Sequence, residues 1–267
     1  MSMNSSEVPP KSRENERPKR KRKERIPLPM FLNREKYEYE IGIDEAGRGP
    51  MFGRLYVAGV VLPKDGTMNT TNIYDSKKIS KKQLPCIYDY IIQNALAYHI
   101  TYIDASEIDT INIREAVMKG MQTCALEIIT KLENKTSNET SNETIDDNED
   151  GNAKEKYFLM VDGNDFVPYH HTFGDNSSKR ISYETYCQGD NRYANIAAAS
   201  ILAKVTRDNY IIDLCKKHPM LITSYSMNTH MGYGTKKHMD AIKTHGITQF
   251  HRKTYGLCKE AKLNYLC

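Results

Sequence analysis

The chain lacks the features that mark several broad classes of protein. None of its six cysteines (Cys86, Cys124, Cys187, Cys215, Cys258 and Cys267) stands in a CxxC pair or in a Cys-His cluster of zinc spacing. Neither a disulfide framework nor a structural zinc is expected, and a reducing compartment is the default. No apolar run approaches the length of a membrane span, and the polar N-terminus has no apolar core of a secretory leader. The expectation is an intracellular protein, cytoplasmic or nuclear and not secreted, with no membrane contact. No serine, cysteine or histidine constellation suggests a covalent nucleophile.

The formal charge of +4 over 267 residues conceals two opposed segments. Residues 1–26 carry nine Lys or Arg against four Glu, and residues 133–155 carry eight acids against two lysines, which leaves +5 on the remainder. A mildly basic body suits a phosphate-binding surface. Residues 1–34, rich in charge and proline, read as a disordered basic arm, either a nuclear address and nucleic-acid tether or a solubilising tail. Residues 133–155 repeat Ser-Asn-Glu-Thr and read as an acidic low-complexity insertion within a domain spanning 35–267. Its three Asn-x-Thr sequons are compositional accidents in a chain without a leader.

Between these segments strand and helix patterns alternate. "YEIGIDEA", "LYVAGVVL", "LAYHITYI" and "EKYFLMVDG" read as strands. "ISKKQLPCIYDYIIQNAL" reads as a helix in which Pro85 belongs to the first turn or a kink. "NIREAVMKGMQTCALEIITKL" places Ile113, Val117, Met121, Cys124 and Ile128 on one helical face, with Asn112 as cap. The alanine-rich "NIAAASILAKVTRDNYIIDLCKKH" suits close packing on a sheet. The expected class is an α/β layer fold with a central sheet.

Asp44 and Glu45 end one apolar run, Asp162 ends another, and Asp190 follows a third. Acids at strand ends have two readings, as turn formers or caps and as ligands of a hard divalent cation. Adjacent strand residues point to opposite faces, so Asp44 and Glu45 share one site only if the chain leaves strand geometry there, which Gly47 makes cheap.

Taken in order, "GIDEAGRGP", "DSKKIS", "VDGN", "GDNRYANIAAASILAKVTRD", "GYGTKKH" and "HRKTY" resemble the type 2 ribonucleases H, closest to the single-chain ribonuclease HII of bacteria. Ribonuclease HIII departs from the DEAGRG form, and the eukaryotic catalytic subunit differs after its Gly-Tyr. The resemblance covers most of residues 39–256. It implies a ribonuclease H-like fold, a five-stranded mixed sheet flanked by helices with a C-terminal helical portion. It further implies that Asp44, Glu45, Asp162 and Asp190 are catalytic and hold two Mg²⁺ or Mn²⁺ ions, with Asp44 the bridging candidate. Gly47, Arg48 and Gly49 would read the ribose 2′-OH through the main chain, and Tyr233 would pack on the next deoxyribose. Lys77, Lys78, Lys204 and Arg207 would meet phosphates, while His251 and Arg252 would organise the C-terminal segment. The implied partners are RNA/DNA hybrids and duplex DNA containing ribonucleotides, met by a monomer in ribonucleotide excision repair and primer removal. The Asp162 to Asp190 interval is longer than usual, and the excess is placed in a hairpin within "PYHHTFGDNSSKRI". A non-catalytic hybrid-binding subunit and a DNA-only nuclease are the competing classes.

Overall fold

A computed structural model describes residues 26–33, 35–139, 155–174 and 177–266. Five strands form one mixed sheet: β1 (Tyr37–Ala46), β2 (Leu55–Val61), β3 (Ala97–Ile103), β4 (Glu155–Asp162) and β7 (Ser182–Tyr186), in the order β3-β2-β1-β4-β7. β1, β2 and β3 are antiparallel neighbours, while β4 runs parallel to both β1 and β7. The expected hairpin between Asp162 and Asp190 exists as β5 (His170–Thr172) paired with β6 (Ser178–Arg180).

Helices cover both faces, which is why β2 is buried along its whole length instead of alternating. On one face α3 (Ile113–Glu139) presents Val117, Met121, Cys124 and Ile128 to Ile41, Ile43, Val57 and Leu159. The Asn112 side chain caps this helix by accepting from the amides of Arg114 and Glu115. On the other face α4 (Ala194–Lys217) and α1 (Leu84–Asn94) pack on Tyr56, Ala58 and Val60. Pro85 occupies the first turn of α1, where its missing N–H is harmless.

The start of α4 lies directly on β1. A Cβ at Gly42 would collide with the main chain of Asn195 and Ile196, and the Asn195 amide donates to the Glu40 carbonyl at 3.0 Å. This close approach places Ser200, further along α4, beside the end of β1. Among the described residues the other α-helices are α2 (Ala105–Ile111) and the short C-terminal helices α5 (Met220–Thr223), α6 (Met227–His230) and α7 (Lys236–His245). Among the described residues no helix is long and apolar enough to cross a membrane.

The first 25 residues of the expected arm lie outside the described residues, and residues 26–33 are seated on the body. Leu28 and Met30 join the α1–α4 core, the Pro29 carbonyl accepts from the first amide of α4, and both Glu40 carboxylate oxygens accept amides, from Leu32 and Asn33. Buried apolar contacts and satisfied amides outweigh the charge-rich composition there. At the insertion, Glu133–Glu139 prolongs α3 and Glu155 opens β4, so only 140–154 lie outside the described residues.

Candidate active site

The acids meet at one end of the sheet because β1 and β4 run in the same direction. Their register pairs Ile43 with Val161, so Asp44 stands level with Asp162, the last residue of β4. β1 remains paired with β2 through Ala46, whereas its pairing with β4 stops at Ile43. The expected break in strand geometry between Asp44 and Glu45 is therefore absent. The chain turns only after Ala46, at Gly47 (φ +100°), and the edge that β4 leaves open lets both carboxylates border one hollow.

That hollow, of about 240 Å³, is lined by Asp44, Glu45 and Asp162 together with Gly47, Arg48, Gly49, Lys77, Lys204, Arg207 and Tyr233. Ser76, Ser200 and Asp208 complete the polar lining. Two larger hollows, of about 810 and 610 Å³, have one carboxylate each, Glu260 and Glu115, and offer no comparable chemistry.

Each acid is held. Asp44 is 5% exposed, and its Oδ1 accepts from the Glu45 amide at 2.7 Å. The Gly189 amide donates to Asp162 Oδ1 at 2.6 Å, and the Arg48 guanidinium lies 3.6 Å from Glu45. Burial, then the charges of Glu45 and Asp162, push the Asp44 carboxyl well above its usual range despite a hydrogen bond with Ser200. Burial also raises Glu45, with Asp162 adding to it and Arg48 opposing. Asp44, Glu45 and Asp162 thus repel one another at close quarters in a partly desolvated site.

Two expected site residues do not line this hollow. Asp190, on a 3-10 turn (Gly189–Asn191), is buried beside it within the field of Asp162, with the Asn191 amide at 3.0 Å and the Lys77 ammonium at 4.0 Å. Burial and the charges of Asp75 and Asp162 raise its carboxyl. Lys78 also lies outside, paired with Asp75 at 3.3 Å and bonded to the Asn191 side chain. Lys77 stays at the hollow: partial burial opposes its charge, but Asp190, Asp75, Asp44 and Asp162 together raise its ammonium.

Arg207 is 2% exposed and commits its guanidinium to the carbonyls of Arg54, Phe52 and Met231 at 3.3, 3.2 and 2.9 Å. It also lines the hollow, as the floor beneath the glycine turn, where a Cβ at Gly47 would fall inside its side chain. At Gly49 the same position meets nothing within 4 Å, so that side of the turn is open. Tyr233 is half exposed at the rim, with its ring 5.6 Å from the Arg207 guanidinium carbon.

Arg252 is the residue whose role exceeds the reading from sequence. Fully buried, it donates to the carbonyls of Gly47, Arg48 and Gly53 at 2.6, 3.1 and 3.0 Å. Carbonyl and amide of one trans peptide point in opposite directions, so holding the Gly47 and Arg48 carbonyls turns the Arg48 and Gly49 amides away from Arg252. Ser200 and Ser76, 3.2 Å apart, were also missed. Their only mark in the sequence is a small polar residue within each of two motifs.

The donor set is all hard oxygen, and its repulsion is of the kind a divalent cation relieves. Among the described residues no three His, Cys, Asp or Glu side chains form a ready cation cage, so the fit rests on donor chemistry and charge.

Comparison with known proteins identifies the family. The family profile described as Ribonuclease HII matches residues 41–258. The ribonuclease HII of Oceanobacillus iheyensis is 36% identical over 233 residues, covering 87% of this chain and 74% of the relative. That of Endomicrobium trichonymphae is 35% identical over 238 residues, covering 88% of this chain and 94% of the relative. The solved ribonuclease H2 from Pyrococcus horikoshii, 20% identical, shares the fold with a TM-score of 0.58 over 83% of this chain and 96% of its own. A match running from within β1 to the last helical turn, with over a third of residues identical to a relative, places this chain in the ribonuclease HII family of metal-dependent nucleases.

Proposed function

We propose that the protein cleaves the RNA strand of RNA/DNA hybrids and the phosphodiester on the 5′ side of ribonucleotides embedded in duplex DNA, leaving 3′-OH and 5′-phosphate ends. The observation that carries this reading is the shared hollow: the carboxylates of Asp44, Glu45 and Asp162 and the Gly47-Arg48-Gly49 turn, its carbonyls held by Arg252, line one cavity. A phosphate and its neighbouring sugar fit these two halves.

Asp44, Glu45 and Asp162, with Asp190 beside them, would hold two Mg²⁺ or Mn²⁺ ions, Asp44 serving both as the most buried acid of the hollow. Such ions supply Lewis acidity and charge neutralisation at the scissile phosphate. The protein supplies position. Outward amides of the Gly47-Arg48-Gly49 turn meet the 2′-OH, the group that separates RNA from DNA. Tyr233 offers a ring to the next sugar, where a second 2′-OH would crowd it. Lys77 and Lys204 offset phosphate charge at the rim. No side chain need act as a strong base, because phosphoryl transfer depends mainly on positioning and electrostatics.

Cleavage mapping tests this on a duplex bearing one ribonucleotide, on the all-DNA duplex and on a continuous hybrid, with Mg²⁺ and Mn²⁺ compared. One cut on the 5′ side of the ribonucleotide and none in the all-DNA duplex is expected. Cutting of the all-DNA duplex points to a DNA nuclease, and binding without cleavage to a hybrid-binding subunit; either overturns the proposal.

A further inference from the structure

Tyr233 is tied to the protein body through two buried histidines whose protons the geometry assigns. The Thr248 amide can only donate, and it meets His251 Nδ1 at 2.9 Å, so that nitrogen bears no proton. A neutral His251 then carries its proton on Nε2, which lies 3.2 Å from His238 Nε2. His238 must accept there, leaving its own proton on Nδ1, 2.9 Å from the Tyr233 carbonyl, a group that can only accept. One arrangement of two protons satisfies all three contacts.

The surroundings keep that arrangement. His238 and His251 are 0% and 1% exposed, and burial pushes them down to about 4 and about 3, so both rings are neutral near pH 7. His230 stacks on His238 at 4.8 Å and is fixed in turn by the Tyr225 carbonyl and the Gly232 amide. Phe52 and Tyr225 pack on the His251 ring, and the Thr235 amide takes the second lone pair of the Tyr233 carbonyl. The next residue after His251 is Arg252, which grips the glycine turn. Two successive residues therefore serve the two walls of one hollow.

We propose that His238 and His251 are positioning residues: their hydrogen-bond chain fixes the main chain at Tyr233, and so the ring's distance from the Gly47-Arg48-Gly49 turn held by Arg252. This rests on the reading of Tyr233 as the platform for the sugar after the ribonucleotide. Its readout is the preference for a deoxyribose at that place, measured as the ratio of kcat/KM on a duplex with one embedded ribonucleotide to that on a continuous RNA/DNA hybrid.

Two substitutions at one position separate the halves of the chain. In His238→Asn the amide group replaces Nδ1–H and keeps the bond to Tyr233, whereas in His238→Gln the amide reaches towards His251 and abandons Tyr233. His238→Gln is expected to lower the preference about tenfold, as misplacement of a positioning group does, while His238→Asn retains most of it. Equal preference in wild type and His238→Gln overturns the inference. The imidazole nitrogen chemical shifts of the wild-type protein provide a measurement free of folding defects: protons on Nδ1 of His238 and Nε2 of His251 are expected, and the reverse tautomers overturn it. Tyr233→Ala separates the two layers. If it abolishes the preference and His238→Gln does not, only the histidine chain fails; if it leaves the preference intact, the reading of Tyr233 itself is wrong.

Discussion

The two faces of the sheet are built on different principles. The α3 face is a continuous apolar layer, with Ile41, Ile43, Val57, Leu159 and Val161 under Val117, Met121, Cys124 and Ile128. The α4 face begins with the same material but carries polar groups in its interior: Asn195 on the Glu40 carbonyl, Ser200 against Ser76, and Arg207 on three carbonyls. One face depends on area removed from water, the other also on hydrogen bonds that aim particular atoms. The first tolerates any well-shaped hydrophobe, while in the second a lost donor leaves a buried acceptor unsatisfied.

Removing a single charge at the sheet end would strain this contrast most. Asp44→Asn is expected to cut kcat by about a thousandfold or more, measured on a hybrid with Mg²⁺, because it removes a group acting at the transition state. The same change should leave thermal stability unchanged or raised in metal-free protein, since Asp44 is repelled by Glu45 and Asp162. A parallel loss of activity and stability would mean that Asp44 is structural.

Arg252→Ala comes next. It leaves the carbonyls of Gly47, Arg48 and Gly53 without their donor, and urea unfolding should show a loss of about 3–5 kcal/mol with activity falling as the turn loosens. Arg252→Lys should rescue little, because an ammonium lacks the planar fork. On the opposite face Ile128→Ala should cost about 2–5 kcal/mol by leaving a cavity, yet the protein that remains folded should keep its kcat/KM. If Ile128→Ala changes kcat/KM, the two faces are not separable.

The last comparison is in pH. His238 and His251 are held at about 4 and about 3, below the unfolded value near 6.5, so the stability of keeping them neutral is present above pH 6.5. It is lost as pH falls towards 4, at up to about 1.4 kcal/mol per pH unit for each histidine. Asp44, Glu45 and Asp190 are shifted upward and would oppose this slope in metal-free protein, so melting is best followed with Mg²⁺ present. His238→Asn should flatten the slope between pH 6.5 and 4.

Legibility in the sequence follows the same division. Hydrophobic spacing located α3, its Asn112 cap and the strands, because local periodicity and burial coincide there. Spacing alone left the acids open between caps and ligands, and the ordered motifs decided their place. Arg207 was read as a phosphate contact from its charge and its motif; only packing reveals that it also holds carbonyls from distant segments. Arg252 was underestimated for the same reason, its partners lying some two hundred residues earlier in the chain. Residues 26–33 looked like tail because their anchors, Glu40 and the start of α4, are invisible to composition.

The seat of that segment sets where anything joined upstream leaves the body. Ile26 and Leu28 border a small recess shared with Lys78 and Asn191, next to the turn that bears Asp190. A fluorophore joined directly at residue 26, with residues 1–25 removed, would stand beside the turn that bears Asp190. Leu266, near the other end, is secured through Gln249. For single-molecule tethering, attachments at residue 26 and at Leu266 are therefore not equivalent handles.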